Sequence, residues 1–314
     1  MSIALNGLKQ VLAAAWMQYF LQMQMNVCSG SIIGERRCAL SEKHIERRRR
    51  MKVQVLASVM NQDMHTIVKQ MNLGTDAVII NQCDRYAVEE MEWRGHRVRF
   101  FSCAERGVGR SRNNAILRAD RDICLFSDED IVYEDGYGER IAEEFARQPR
   151  ADMILFNIEV EEARRTYHIT DRKRVRWYNC GRYGAVSFAI RTDKLLESGV
   201  MFSLLFGGGA KYSNGEDSLF LKEFMSKGYK VYTAPVTIGR EVRSGESTWF
   251  AGYDRKFFYD RGVLYHYLYG SLARAMALRF LLAHRDKMCQ DVEIRQAYEW
   301  MLQGIGRRSE KAGD

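Results

Sequence analysis

After residue 50, the apolar positions fall into short runs separated by polar, turn-prone stretches. Runs at 53–59, 77–80, 97–102 and 123–126 have the length and the aliphatic and aromatic content of buried strands. Between them, 64–71 and 109–119 have apolar residues spaced for one face of a helix. Further strands are predicted at 152–160 and 184–190. Strand and helix in turn predict βαβ units and a mostly parallel sheet covered on both faces. From about 257 to 303, Leu264, Leu268, Leu272, Met276 and Phe280 recur at helical spacing. That stripe predicts a helical tail packed against the sheet. The bases beside it, Arg274, Arg279, Arg285 and Lys287, leave a peripheral membrane contact as the alternative.

The first fifty residues follow a different pattern. The apolar run at 11–25 is broken by Gln18, Gln22 and Gln24 and is too short to span a membrane. It also lacks the basic start and small-residue cleavage site of a signal peptide. An amphipathic helix fits it, followed by a polar linker ending in Arg47–Arg50. Met51-Lys52-Val53-Gln54-Val55-Leu56 then reads as the opening of a domain. The expected organisation is an extension over 1–50 outside the working protein, a main domain over 51–250 and a helical region over 251–314.

Composition narrows the partners. Of the formal charge of +8, residues 1–50 carry +5, from eight bases against three acids, so only +3 falls on the remaining 264 residues. The main domain therefore makes no compositional case for nucleic acid. Seven cysteines without a CxxC pair read as reduced thiols in a cytosolic protein.

The strand at 123–126 runs directly into Ser127-Asp128-Glu129-Asp130. In parallel sheets, ligands gather beyond the carboxyl ends of strands, where these acids fall. Asp128 and Asp130, at i and i+2, can offer hard oxygen ligands to Mg2+ or Mn2+; a solvated acidic turn is the plainer alternative. Gly107-Val108-Gly109 with Arg112 at the third position is not a dinucleotide fingerprint.

Two neighbouring segments give the acids company. Glu105 to Ala115 contains Gly107, Arg112 and Asn113, and resembles the G-x-x-x-x-R-N segment of family 2 glycosyltransferases of the GT-A fold. Leu125 to Asp130 resembles that family's strand and Asp-x-Asp motif, and Gly215-Glu216-Asp217 its Glu-Asp motif behind a glycine-rich loop, Gly207-Gly208-Gly209. The resemblance covers roughly residues 52–240.

The resemblance implies an inverting, metal-dependent enzyme. It would move one sugar from a nucleoside diphosphate, with a UDP-sugar as the expected donor, to a glycan or lipid-linked acceptor in surface polysaccharide or glycolipid synthesis. Mn2+ or Mg2+ on Asp128 and Asp130 would neutralise the leaving diphosphate, and Arg112 would add a bidentate phosphate contact. Asp217 is the expected general base with Glu216 beside it. Asn113 would hold the loop or a sugar hydroxyl. Asn81, Gln82 and Asp84, after the second strand, stand where the family's base-reading aspartates stand, and Asp128 faces the nucleotide sugar. Trp177, Tyr178 and Tyr183 offer an aromatic platform for a sugar or ordinary rim packing. Glu246-Ser247-Thr248-Trp249 departs from the Gln-x-x-Arg-Trp signature of processive synthases, which favours single-sugar transfer. The expected place is the cytoplasm, or the inner face of the membrane. Alternatives are a sugar-1-phosphate nucleotidyltransferase or a non-catalytic carbohydrate-binding protein that keeps the fold.

Overall fold

The computed structural model describes residues 51–160, 167–242 and 252–306. The expectations for residues 1–50 and for the 246–249 segment lie outside the described residues. A nine-stranded sheet organises the rest.

The chain begins with β1 (Val53–Met60), α1 (Met64–Gln70), β2 (Asp76–Gln82), β3 (Ala87–Trp93), β4 (His96–Cys103), α2 (Val108–Ile116) and β5 (Ile123–Asp128). β1 is buried along nearly its whole length, with Val55 and Ala57 in the apolar cluster on one face and Leu56 in the cluster on the other. Such a two-sided strand cannot alternate apolar with polar, which is why its sequence is one continuous apolar run. β4, β2, β1 and β5 pair in parallel in that order, as the alternation predicts. β3, which the sequence pattern does not reveal because three of its seven residues are glutamates, closes the edge as a hairpin with β4 through Arg94-Gly95.

Beyond β5 come β6 (Ile131–Tyr133), α3 (Tyr137–Arg147), β7 (Met153–Glu159), β8 (Phe188–Arg191), α4 (Thr192–Ser198), α5 (Glu216–Ser226) and β9 (Val231–Glu241). The strand predicted over 184–190 opens instead with a 3-10 turn, Ala185–Ser187, and reaches the sheet only at Phe188. Here the sheet becomes mixed: β8 lies antiparallel between β5 and β7, β9 runs parallel to β7, and β6 pairs antiparallel with β9. Four of its eight strand pairings are therefore antiparallel, against the mostly parallel expectation. The physical reason is that β8 enters from a long excursion after β7 rather than through a helical crossover, and only a crossover forces parallel pairing.

The tail is α6 (Arg255–Tyr269), α7 (Ala273–Ala283), a single turn at Arg285–Met288, and α8 (Ile294–Ile305). It has its own apolar cluster around Phe258, Leu264, Leu281 and Met301. α6 and α8 cross in close contact: a Cβ at Gly262 would fall on the Met301 carbonyl, and one at Gly304 on that of Tyr259. No helix among the described residues is long and apolar enough to cross a membrane.

Candidate active site

Because β1, β2, β4 and β5 are parallel, their carboxyl ends, at Met60, Gln82, Cys103 and Asp128, lie along one edge. That edge opens on a cleft of about 410 Å3, lined by Asp128, Asp130, Arg112, Gln82, Glu216 and Asp217 among others. The three consecutive acids separate by function. Glu129 accepts from the Met60 backbone N–H at 2.7 Å and from the Gln62 amide at 3.3 Å, which pins the acidic turn to the end of β1.

Arg112 is the hub. Its helix α2 starts beside Gly107, whose N–H is held by the Gln82 side-chain oxygen at 2.8 Å. One turn later the guanidinium, 4% exposed, donates to both oxygens of Asp128 at 3.1 and 3.0 Å, to Glu216 at 3.1 Å and to Asp217 at 2.9 Å. Phe202 lies under it at 5.2 Å, and the Asn113 amide clasps the Phe202 backbone in both directions, at 2.9 and 2.7 Å. Glu216 and Asp217 arrive from the opposite side because α5 begins there. Gly215 precedes it with φ +117°, a left-handed conformation, and a Cβ at that position would lie 2.5 Å from the Leu264 side chain of α6.

The electrostatics follow from this crowding. Burial works against the Arg112 charge, but Asp128, Asp217 and Glu216 outweigh it and hold its pKa above the ordinary value. Asp217 is raised to about 7, first by burial and then by Glu216; Arg112 and the Ala185 N–H restrain the rise. Asp130 is raised to about 6 by burial, with Asp128 and Glu241 adding repulsion. A carboxylate titrating near neutrality is a far stronger base than one in water.

The structure thus brings Arg112, Asp128, Asp130, Glu216 and Asp217 together and assigns several neighbours other work. Both terminal nitrogens of Arg112 are taken by carboxylates, so it organises the acids where a phosphate contact was expected. Asn113 holds the loop through Phe202. Asn81 spends both ends of its amide inside the protein, accepting from the Gln62 N–H at 3.0 Å and donating to the Gln62 carbonyl and Ser102. It is 2% exposed and does not line the cleft, so the expected base-reading role falls away from it. Asp84 is exposed and outside the cleft lining. Gln82 does line it. Trp177 and Tyr178 are half exposed, whereas Tyr183 is buried. The glycine run folds into a turn closed by Gly207 N–H to the Tyr212 carbonyl and held to α2 by Val108 N–H to the Gly208 carbonyl. Sequence reasoning missed Glu129, Phe202 and the Ala185 N–H. Glu129 stood inside the acidic run, but only the outer acids have the spacing of a ligand pair; the other two carry no local signal.

Five carboxylates and one guanidinium line the cleft. A diphosphate would be repelled there unless a cation came with it. Among the described residues no three acid, histidine or cysteine side chains form a metal cage on their own. Asp130, which has no cationic partner among the described residues, and Asp128 nonetheless form the hard-oxygen pair that suits Mg2+ or Mn2+ when phosphate oxygens complete the shell. The donor set fits the ion.

Residues 54–204 match the model of glycosyl transferase family 2. The chain carries a family 2 glycosyltransferase domain. Its fold is similar to S. aureus TarS: residues 1–349 of that protein, solved with UDP-GlcNAc, align at 14% identity with a TM-score of 0.55, covering 81% of this chain and 82% of that one. The same TarS fragment solved with UDP aligns at 13% identity and a TM-score of 0.53, covering 82% of this chain and 81% of that one. At such identity the likeness shows the GT-A fold. No match is found among curated protein sequences.

Proposed function

We propose that this glycosyltransferase moves a single sugar, with inversion, from a UDP-sugar to a hydroxyl of a glycan or lipid-linked acceptor, at a site that uses a divalent metal. The observation that carries this reading is Asp217, half-buried at the start of α5 with its pKa raised to about 7 and within hydrogen-bond reach of Arg112, which also grips Asp128. An acceptor hydroxyl beside Asp217 would pass its proton to that carboxylate as it attacks the anomeric carbon from the face opposite the leaving diphosphate, which gives inversion. Arg112 prevents mutual repulsion from driving Asp217 and Asp128 apart, and Glu216 supplies the second acid that raises the Asp217 pKa. A metal held by Asp130 and Asp128 would supply charge to the departing diphosphate. Support for UDP is the structural likeness to TarS, which has been solved with UDP-GlcNAc and with UDP. Gln82, in the cleft lining, is the candidate for contact with the base. We place the reaction in surface polysaccharide or glycolipid synthesis, on the cytoplasmic side of the membrane.

The test is calorimetric titration with UDP, with and without Mn2+, on the wild type, Asp130→Ala and Asp217→Asn. Binding is expected only with metal, lost in Asp130→Ala and retained in Asp217→Asn. UDP release from a panel of UDP-sugars should fall about 10²- to 10⁴-fold in Asp217→Asn. Full turnover in that variant, or metal-independent UDP binding, would overturn the mechanism.

A further inference from the structure

A second cavity, of about 240 Å3, lies between the tail helices and the turn at 178–182. Its lining includes Arg182, Arg261, Arg279 and His284 and no carboxylate. Arg261 sits between the Phe257 and Phe280 rings, 5.2 and 5.1 Å from their centroids, and its Nε is buried with no hydrogen-bond partner. Neither it nor Arg279 makes an ion pair among the described residues. The contrast with Arg112, which is fixed by three carboxylates, is direct.

Enclosing an arginine charge is costly unless it is paired. Two aromatic faces return only part of that cost, and a guanidinium does not escape by losing its proton. Burial accordingly pulls the Arg261 pKa down, and His284 is lowered by burial and by Arg261. An anion would relieve both groups. Phosphate fits three arginines better than a carboxylate does, because its charge and its three free oxygens can engage several forks at once. The cavity also adjoins the site. A Cβ at Gly181 would lie 3.7 Å from the Tyr269 hydroxyl and 3.8 Å from that of Ser218, the residue after Asp217. Arg182 lines both this cavity and a further hollow, of about 250 Å3, that reaches Asp128 and Asp130.

We propose that the Arg182, Arg261 and Arg279 cavity binds a phosphate group of the acceptor, making the natural acceptor a phosphorylated glycan. This rests on the transferase reading above. The test uses the full chain saturated with UDP and Mn2+, so that the donor cleft is closed to free phosphate. Inorganic phosphate and then glycerol 3-phosphate are titrated calorimetrically, with acetate at matched ionic strength as the carboxylate control. Saturable 1:1 binding of both phosphates is expected, weakened at least tenfold in Arg261→Met and in Arg279→Gln, with UDP affinity unchanged. Absent phosphate binding, equal binding in both variants, or acetate binding as well as phosphate would overturn it. Should Arg261→Met fail to fold, Arg279→Gln, on the exposed wall, decides alone. If UDP itself does not bind, the UDP-donor reading fails, while comparing phosphate titrations of the wild type and Arg279→Gln still reads the cavity.

Discussion

Replacing Arg112 with methionine keeps much of the side chain's volume and removes its charge. Four charge-assisted hydrogen bonds of 2.9–3.1 Å disappear, a gross loss of roughly 6–12 kcal/mol at 1.5–3 each. Part of this is returned because the guanidinium, 4% exposed, no longer has to be desolvated. The net cost of leaving partly buried carboxylates without their cation is about 3–5 kcal/mol. With a urea m-value near 3 kcal/mol/M, the unfolding midpoint should fall by about 1–1.7 M. The pH dependence tests the cause. Arg112 restrains the rise of the Asp217 pKa; without it that pKa moves further above its unfolded value, so the folded variant takes up a proton as pH falls. Its deficit should be greatest near pH 8 and shrink towards pH 5. Arg112→Lys should recover only part of it, since an ammonium cannot fork to three carboxylates. Urea melts at both pH values measure this directly. A midpoint shift under about 0.3 M, or the same deficit at pH 5 and pH 8, would refute the hub.

The activity of Asp217 should rise with pH through about 7, because the base works only when deprotonated, and a pH–rate profile of UDP release checks this. Asp130 carries a folded pKa raised to about 6, so its charge costs stability above that pH and the metal-free protein should stabilise as pH falls from 6 towards 4. Asp130→Asn should therefore melt higher than wild type at pH 8 without metal, while losing metal-dependent UDP binding. Asn113→Ala removes both hydrogen bonds to Phe202 and should cost about 1–3 kcal/mol, read as a lower thermal midpoint. Gly262→Val should destabilise by at least about 1–3 kcal/mol, because backbone rather than a movable side chain occupies the space.

The parallel half of the sheet was legible because β1, β2 and β5 are buried on both faces and read as unbroken apolar runs. β3 is a polar edge hairpin with no apolar run to find, and β8 is four residues long behind a 3-10 turn, so the strand expected over 184–190 was legible only in its second half. The acids were legible as types in order, since Asp128, Asp130, Glu216 and Asp217 do meet in one cleft. Their distribution of labour was not. Whether Arg112 meets phosphate or carboxylate depends on where α5 begins relative to α2, over a hundred residues away, and whether Asn81 reads a base depends on Gln62 and Ser102 across neighbouring segments. Such pairings leave no mark in local sequence.

The contact between Leu264 and Gly215 bears on how the protein is made. On the ribosome, Asp217 emerges well before Leu264, so α5 must wait for α6 to brace its first turn. Nascent chains released before about residue 264 should hold the two halves of the acidic cleft in sequence without its geometry. Such chains should bind donor poorly.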